Sequence, residues 1–365
     1  EETQKKRSVD DDTPKAVIMS ISTRRLPITV FSSISNIAPV LRAADLPLVE
    51  IVDEEALSGY GGTVEFDVSK LQESTKTQLR EAEILITEPS ALVDMLSFDE
   101  SLLPNLKWCQ STYAGVDPLF KANLQFPLPF TLTRFAGVFG PPIAEWCLAR
   151  IIGHERGFAA SRKDQDGHQA WAKSTEILEY RYLCDLTLSI LGCGDIGLCI
   201  AKTAKAFGMT VVGFSTAAKS DEPTLDRSIS DLNEALRAGD YVVSALPSTN
   251  NTRGMLTLDV FSAANKENGG KSPVFLNVGR GDVTNTGILL EALRDKHISG
   301  AILDVFEVEP LPESNPLWKH PKVTISPHVS GLTRAQDVPK LVAEQYKRYC
   351  HGKELMYMVD WEKTY

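Results

Sequence analysis

Residues 188–197 read Leu188-Ser-Ile-Leu-Gly192-Cys-Gly194-Asp-Ile-Gly197, a glycine-rich stretch that follows an apolar run and precedes an amphipathic pattern. An apolar run, a GxGxxG turn and a helical pattern together predict the strand–turn–helix unit that binds a dinucleotide. In such a unit Gly192 makes the tight turn, Gly194 lets the backbone approach a pyrophosphate, and Gly197 lets the helix pack on the strand. A glycine-rich turn in another α/β fold is the alternative interpretation.

The residues that follow this turn bear on the choice of cofactor. Asp195 and Ile196 would offer their N–H groups to the phosphates at the helix N-terminus. A dinucleotide fold usually places an acidic residue on the ribose 2′-hydroxyl about 20 residues further on. Here the next strand ends in Ser215-Thr-Ala-Ala-Lys219-Ser, without a carboxylate. The hydroxyls of Ser215 and Thr216 and the charge of Lys219 favour NADP(H), with NAD(H) as the alternative because this stretch has no arginine.

The rest of the chain repeats a strand-like apolar run followed by a helical pattern, which predicts parallel sheets covered by helices. In the first third the predicted strands are Lys15–Ser20, Pro47–Val52, Glu83–Thr87 and Leu106–Gln110. In the second series they are Leu186–Gly192, Thr210–Phe214, Tyr241–Ala245, Pro273–Val278, Gly300–Leu303 and Val323–Ser326. Six strands are enough for a complete doubly wound dinucleotide fold. A long helix that starts near Pro141 is predicted to join the two series.

The length of the chain predicts two domains, because single hydrophobic cores stop growing at about 250–300 residues and this chain has 365. We expect a substrate-binding domain over residues 1–135 and an NAD(P)-binding domain over residues 136–327. A C-terminal helix within residues 336–365 is expected to pack back on the first domain.

Composition excludes several classes of partner. A net charge of −10 argues against nucleic acid and against an anionic membrane surface. No run approaches the roughly 20 apolar residues of a membrane span. The six cysteines are scattered without a CxxC pair, which favours reduced thiols over a metal site or a disulfide framework. We therefore expect a cytoplasmic protein without a metal.

Four ordered segments resemble the D-isomer-specific 2-hydroxyacid dehydrogenase family. They are Ala245-Leu-Pro-Ser-Thr-Asn-Asn-Thr252-Arg-Gly, Leu276-Asn-Val-Gly-Arg280-Gly-Asp, Leu303-Asp304-Val-Phe-Glu-Val-Glu309-Pro-Leu and Ser326-Pro327-His328-Val-Ser-Gly331. The first domain is similar more loosely, through Tyr113-Ala-Gly-Val-Asp117. The stretch Gly137-Val-Phe-Gly-Pro-Pro-Ile-Ala-Glu and the missing acidic residue resemble the glyoxylate and hydroxypyruvate reductases in particular.

The resemblance implies an α/β protein with a Rossmann-type doubly wound sheet for the cofactor and a flavodoxin-like substrate domain. The active site would lie in the cleft between them. It also implies NAD(P)H-dependent reduction of small 2-keto acids, such as glyoxylate, hydroxypyruvate and pyruvate-like acids, to D-2-hydroxy acids. A homodimer would form through the helix near residues 141–156 and the following segment.

The chemistry of this reaction selects three side chains. It needs a hydride donor, an acid for the developing alkoxide and a cation for the carboxylate. Of the six histidines, only His328 follows a strand-like run and sits among small residues, and imidazole suits proton transfer near neutral pH. Glu309 is expected to hydrogen-bond the imidazole and favour its charged form, unless it is one surface carboxylate of an acidic loop. Arg280 offers a planar fork for the substrate.

The resemblance implies further contacts in both domains. Asp304 would lie near the nicotinamide, the N–H groups of Ala114 and Gly115 would hold the substrate carboxylate, and Tyr113 would shape that part of the site. The remaining cofactor contacts would come from Leu246, Pro247, Thr252 and Val278, together with Arg280 and His328.

Two other functions share these motifs. Formate oxidation within the same superfamily needs no acid–base pair, so the presence of Glu309 counts against it. An NAD(P)-sensing binding module of the corepressor type shares the fold, but nothing in the sequence looks like a nucleic-acid-binding appendage. An assay of NADPH loss with glyoxylate would separate an enzyme from such a module.

Overall fold

The computed structural model describes residues 25–59, 65–168, 171, 175–215, 222–264 and 271–362. The strand predicted at residues 15–20 lies outside the described residues. Within them the chain forms two parallel sheets and a short antiparallel hairpin.

The first sheet belongs to the N-terminal part of the chain. Its segment contains β1 (Ile28–Val30), β2 (Leu48–Glu50), β3 (Leu57–Ser58), β4 (Glu65–Phe66), β5 (Ile84–Thr87), β6 (Trp108–Ser111) and β7 (Thr131–Thr133). The sheet has the order β2-β1-β5-β6-β7, and β3 and β4 form the separate hairpin. Apart from that hairpin, the order is the 2-1-3-4-5 of flavodoxin-like folds. The helices here are α1 (Ile37–Ala43), α2 (Glu73–Glu81), α3 (Pro89–Phe98) and α4 (Asp117–Lys121).

The second sheet follows a long connecting helix. Its strands are β8 (Thr187–Leu191), β9 (Thr210–Phe214), β10 (Arg227–Ile229), β11 (Tyr241–Ser244), β12 (Val274–Asn277), β13 (Gly300–Leu303) and β14 (Val323–Ile325). Their order, β10-β9-β8-β11-β12-β13-β14, contains the 3-2-1-4-5-6 order of a Rossmann sheet and adds β14 at one edge. The predicted fold class is therefore confirmed. The six strands predicted here are present, and β10 is a seventh that the sequence did not predict.

The helices that follow along the chain are α5 (Gly140–Glu155), α6 (Phe158–Lys163), α7 (Thr175–Leu178), α8 (Asp195–Ala206), α9 (Leu232–Ala238), α10 (Leu258–Ser262), α11 (Thr286–Arg294) and α12 (Val338–Cys350). Short 3-10 turns lie at Val68–Lys70, Glu100–Leu102, Leu183–Asp185, Gly281–Val283, Pro316–Lys319 and Ala335–Asp337, with a π turn at Asp164–His168. Prolines in the first turn of α5 suit a helix start, because the first turn has no internal acceptor for those N–H groups. Buried side chains of α5, including Ile143 and Ile151, join one continuous core with β1 of the first sheet and β8 of the second.

The last helix returns to the first sheet. The Tyr346 hydroxyl donates to the Leu26 carbonyl at 2.9 Å, and the Tyr349 hydroxyl donates to Glu83 Oε1 at 2.9 Å. Beyond the end of α12, Met358 forms a β-bridge with Thr133 of β7. These contacts support the domain limits that we propose, with residues 1–135 and 336–365 in one domain and 136–327 in the other. Among the described residues, no helix is long and apolar enough to cross a membrane.

Candidate active site

The glycine turn after β8 leaves room for a ligand at the N-terminus of α8. Gly192 has φ +100°, a left-handed conformation that favours glycine, and an added Cβ would lie 3.0 Å from the Ala245 carbonyl oxygen. A Cβ at Gly197 would lie 2.1 Å from the Gly192 carbonyl oxygen, so α8 packs against this turn only with glycine there. No described atom lies within 4 Å of a Cβ built at Gly194, the residue before α8. The geometry fits a pyrophosphate approaching the helix N-terminus.

The other predicted cofactor residues lie at the carboxyl ends of neighbouring strands. Ser215 follows β9, and its N–H donates to the Ile229 carbonyl at 3.1 Å. Thr216 and Lys219 lie outside the described residues. Leu246 and Pro247 follow β11, and the Thr252 hydroxyl donates to the Pro247 carbonyl at 2.5 Å. This hydrogen bond stabilises the turn between Pro247 and Thr252.

A cavity of about 510 Å³ separates the carboxyl edges of the two sheets. One wall comes from the segments after β5 and β6, and the other from the segments after β12, β13 and β14. Eight predicted site residues line it: Tyr113, Ala114, Gly115, Ile196, Val278, Arg280, Glu309 and His328. The structure thus brings the three predicted catalytic side chains into one cleft between the domains.

His328 and Glu309 form a hydrogen-bonded pair in this cleft. Nδ1 of His328 lies 2.8 Å from Glu309 Oε2, and Glu309 Oε1 accepts the Phe306 N–H at 2.7 Å. Burial alone would raise the pKa of Glu309, but the hydrogen bond and charge of His328, the Phe306 N–H and the charge of Arg280 together lower it. Glu309 is therefore an ionised partner for the imidazole at neutral pH.

The backbone at His328 is strained and is held by a buried carboxylate. His328 has φ +53°, which is uncommon for a residue with a side chain. Asp304 lies fully buried at the end of β13, and its Oδ1 accepts the Ser326 hydroxyl at 2.5 Å and the Val329 N–H at 3.0 Å. Its Oδ2 accepts the Ser330 N–H at 2.9 Å. The carboxylate thus anchors the loop that carries His328, a role that no sequence motif predicted, and its position near the nicotinamide stays a prediction.

Arg280 contacts an acid of the opposite domain. Its Nε donates to Asp117 Oδ2 at 3.0 Å, and its Nη1 donates to the Gly279 carbonyl at 2.8 Å. The sequence assigns no role to Asp117, although this residue ends the Tyr113–Asp117 motif on which the resemblance of the first domain rests. No sequence pattern links Asp117 to an arginine that lies 163 residues away.

The loop at Ala114 and Gly115 lies across the cleft from the second sheet, beside Arg280. Neither of these two amides donates to another residue in the described part of the chain. Both residues line the cavity, so their N–H groups can serve an anionic ligand. No group of three or more metal-ligating side chains occurs among the described residues.

A Rossmann-type domain that faces a flavodoxin-like domain across a cleft with an imidazole–carboxylate pair is the architecture of a two-domain dehydrogenase. Residues 148–330 match the model of the D-isomer specific 2-hydroxyacid dehydrogenase, NAD binding domain. The chain belongs to the D-isomer specific 2-hydroxyacid dehydrogenase family, and it is an oxidoreductase.

Known proteins resemble the chain over most of its length. A glyoxylate/hydroxypyruvate reductase A of Photorhabdus laumondii is 29% identical over 259 residues, which are 69% of this chain and 79% of that protein. A D-isomer specific 2-hydroxyacid dehydrogenase family structure from Aeromonas salmonicida is 31% identical with a TM-score of 0.77, covering 92% of this chain and 99% of that one. An NADPH-dependent glyoxylate/hydroxypyruvate reductase of Sinorhizobium meliloti, solved with NADP and sulfate, is 26% identical with a TM-score of 0.74, covering 93% and 100%.

Proposed function

We propose that this protein uses NADPH to reduce small 2-keto acids, such as glyoxylate, hydroxypyruvate and pyruvate-like acids, to D-2-hydroxy acids. The observation that carries this proposal is the 2.8 Å contact between His328 Nδ1 and Glu309 Oε2 in the same cavity as Arg280. An acid, its anionic support and a carboxylate-binding cation are the groups that this reduction needs from the protein.

His328 acts as the general acid. Its Nδ1 is hydrogen-bonded to Glu309, so Nε2 is the atom that donates a proton to the keto oxygen of the substrate. The ionised Glu309 stabilises the imidazolium and fixes the orientation of the ring. NADPH, when bound along the second sheet, would supply the hydride for the keto carbon.

Arg280 binds and orients the substrate. Its guanidinium offers a planar fork that matches a carboxylate and polarises the carbonyl group. The free amides of Ala114 and Gly115 belong to the other domain, lie beside the Arg280 guanidinium and complete the anion site, and Tyr113 shapes it. Holding the keto acid from both domains fixes the reacting atoms in one geometry.

The cofactor would lie along the carboxyl edge of the second sheet. The open space at Gly194 and the N-terminus of α8 would hold the pyrophosphate, with the amides of Asp195 and Ile196. Ser215 would meet the ribose end, where the missing carboxylate favours a 2′-phosphate. The NADPH-dependent relative of Sinorhizobium meliloti supports this preference, and NAD(H) remains the alternative. The other proposed cofactor contacts are Gly192, Gly197, Thr216, Lys219, Leu246, Pro247, Thr252, Val278, Arg280, Asp304 and His328.

We also propose a homodimer in the cytoplasm. Large apolar side chains that follow α5 are exposed, with Phe158 59% and Tyr182 64% accessible to solvent, and a second copy of the chain would cover them. The mass of the protein in solution tests this part of the proposal.

The function is tested with purified protein, NADPH or NADH, and a panel of 2-keto acids. We expect saturable loss of NADPH with glyoxylate and hydroxypyruvate, slower loss with NADH, and the D enantiomer of the hydroxypyruvate product. Product chirality must be read with hydroxypyruvate, because the product of glyoxylate is achiral. Tight NADPH binding without turnover of any keto acid would instead indicate a cofactor-sensing module.

A further inference from the structure

We propose that Asp117 is a positioning residue that holds the guanidinium of Arg280 in its substrate-binding orientation. The inference rests on the proposed role of Arg280 and adds a member to that site. Because Asp117 begins α4 in the first domain and Arg280 follows β12 in the second, the substrate domain would set the geometry of an arginine that the cofactor domain supplies.

The ion pair between Arg280 and Asp117 is partly buried, so it can restrict the Arg280 side chain. Arg280 Nε lies 3.0 Å from Asp117 Oδ2, and the two side chains are only 25% and 21% exposed. Fully exposed ion pairs of this kind contribute little, because water screens them and both side chains lose conformational freedom. Partial burial strengthens the attraction, and the second bond of Arg280, to the Gly279 carbonyl, restricts the guanidinium further.

Asp117 uses only part of the hydrogen-bonding capacity of Arg280. A guanidinium has five N–H donors. Within the described residues, Asp117 takes the Nε donor and Gly279 takes one Nη1 donor. No described residue accepts the remaining Nη1 donor or either Nη2 donor, so the Nη1–Nη2 end of the guanidinium keeps donors for a carboxylate. Asp117 therefore orients Arg280 and does not stand in for the substrate.

Gly115 provides the space for this arrangement. A Cβ built on Gly115 would lie 2.0 Å from Arg280 Nη2 and 2.7 Å from Asp117 Oδ2. The end of the guanidinium thus abuts the loop whose free amides are proposed to bind the substrate carboxylate. A side chain at position 115 would therefore displace the ion pair. Because Arg280 Nη2 and Asp117 Oδ2 are the ends of side chains, they can move aside without disturbing the backbone.

The experiment compares Asp117→Asn, Arg280→Lys and the double variant, with hydroxypyruvate as substrate. Asp295→Asn is the matched control, because Asp295 pairs with Arg294 on the exposed surface and neither residue lines the cavity. We expect Asp117→Asn to lower kcat/KM about ten- to a hundredfold, with a raised KM and unchanged NADPH affinity. In the Arg280→Lys background, which lacks the planar fork, the same change should cost less than about threefold.

Gly115→Ala gives an independent test of the same geometry, with Gly287→Ala as its control. Residue 287 lies on the surface of α11, where the added Cβ meets, among the described residues, the Asn285 side chain at 3.3 Å. We expect Gly115→Ala to lose activity toward keto acids while its unfolding midpoint and NADPH binding stay those of the wild type. Gly287→Ala should keep full activity.

The outcomes separate this inference from the proposed function. Unchanged kcat/KM in Asp117→Asn, or a loss that simply adds to that of Arg280→Lys, would overturn the positioning role in an otherwise active enzyme. A lowered KM would also overturn it, because Asp117 would then be competing with substrate. A wild-type protein that reduces no 2-keto acid would overturn both proposals.

Discussion

The loop that carries His328 depends on one buried carboxylate, so Asp304→Asn is an informative perturbation. Asp304 Oδ2 accepts only the Ser330 N–H among the described residues, and Oδ1 accepts the Val329 N–H and the Ser326 hydroxyl. Whichever oxygen becomes an amide nitrogen, one backbone N–H of the loop loses its acceptor. The substitution therefore removes one charge-assisted hydrogen bond and weakens the other two. We expect this to lower the free energy of unfolding by about 2–3 kcal/mol.

Activity should fall together with stability. The left-handed conformation at His328 costs about 1–3 kcal/mol and persists only while its surroundings hold it, so a loosened loop would relax and move the imidazole. A misplaced acid should lower kcat/KM about a hundredfold. Urea unfolding and keto-acid reduction measure the two effects, and Ser326→Ala, which leaves both amides paired, should cost about 1 kcal/mol. If Asp304→Asn unfolds at the wild-type urea concentration and keeps wild-type kcat/KM, Asp304 does not anchor the loop.

Three further predictions concern the cofactor, the substrate and acid stability. Ser215→Asp should shift the ratio of kcat/KM values from NADPH toward NADH, and a wild type that already prefers NADH would contradict our interpretation of this position. Arg280→Lys keeps the charge but loses the fork, so kcat/KM for keto acids should fall while fluorescence titration shows unchanged NADPH affinity. Burial would raise the pKa of Glu155, but its bonds to Arg181 and Tyr241 lower it overall. This carboxylate therefore stabilises the fold above its usual pKa, and the contribution is lost as pH falls through the lowered value. In Glu155→Gln, stability should therefore fall less steeply as the pH becomes acidic. Urea midpoints measured from neutral to acidic pH test this, and a decline as steep as that of the wild type would show that the prediction is wrong.

The second sheet was readable from sequence because its central strands are buried on both faces. Such strands appear as continuous apolar runs, as in β8 and β11, and their positions agree with the predicted ones. The edge strand β10 reads Arg-Ser-Ile with two exposed residues, so it carries no apolar run to detect. β1 is a three-residue strand, and β7 alternates Thr-Leu-Thr, too short a pattern to stand out.

The candidate site likewise has residues that the sequence predicted and contacts that it did not. Arg280 and Glu309 follow the buried strands β12 and β13, and His328 follows the partly exposed edge strand β14. Each of them lies in a recognisable motif, and the carboxyl ends of parallel strands share one edge of the sheet. Asp117 and the anchoring bonds of Asp304 depend on side-chain geometry that no spacing encodes. Polar contacts made across domains or within a loop become visible only once the backbone is folded.

The central claim is that His328 is the proton donor and that the charge of Glu309 supports it. The most direct test is kcat/KM for hydroxypyruvate reduction against pH, in the wild type and in Glu309→Gln. Activity should fall at alkaline pH as the protonated acid is lost, and removal of the charged partner at 2.8 Å should move that limb to lower pH. Glu307→Gln, which removes a neighbouring carboxylate of the same cavity wall, should leave the limb in place. A limb that stays at the wild-type pH in Glu309→Gln would contradict the pairing on which the mechanism rests.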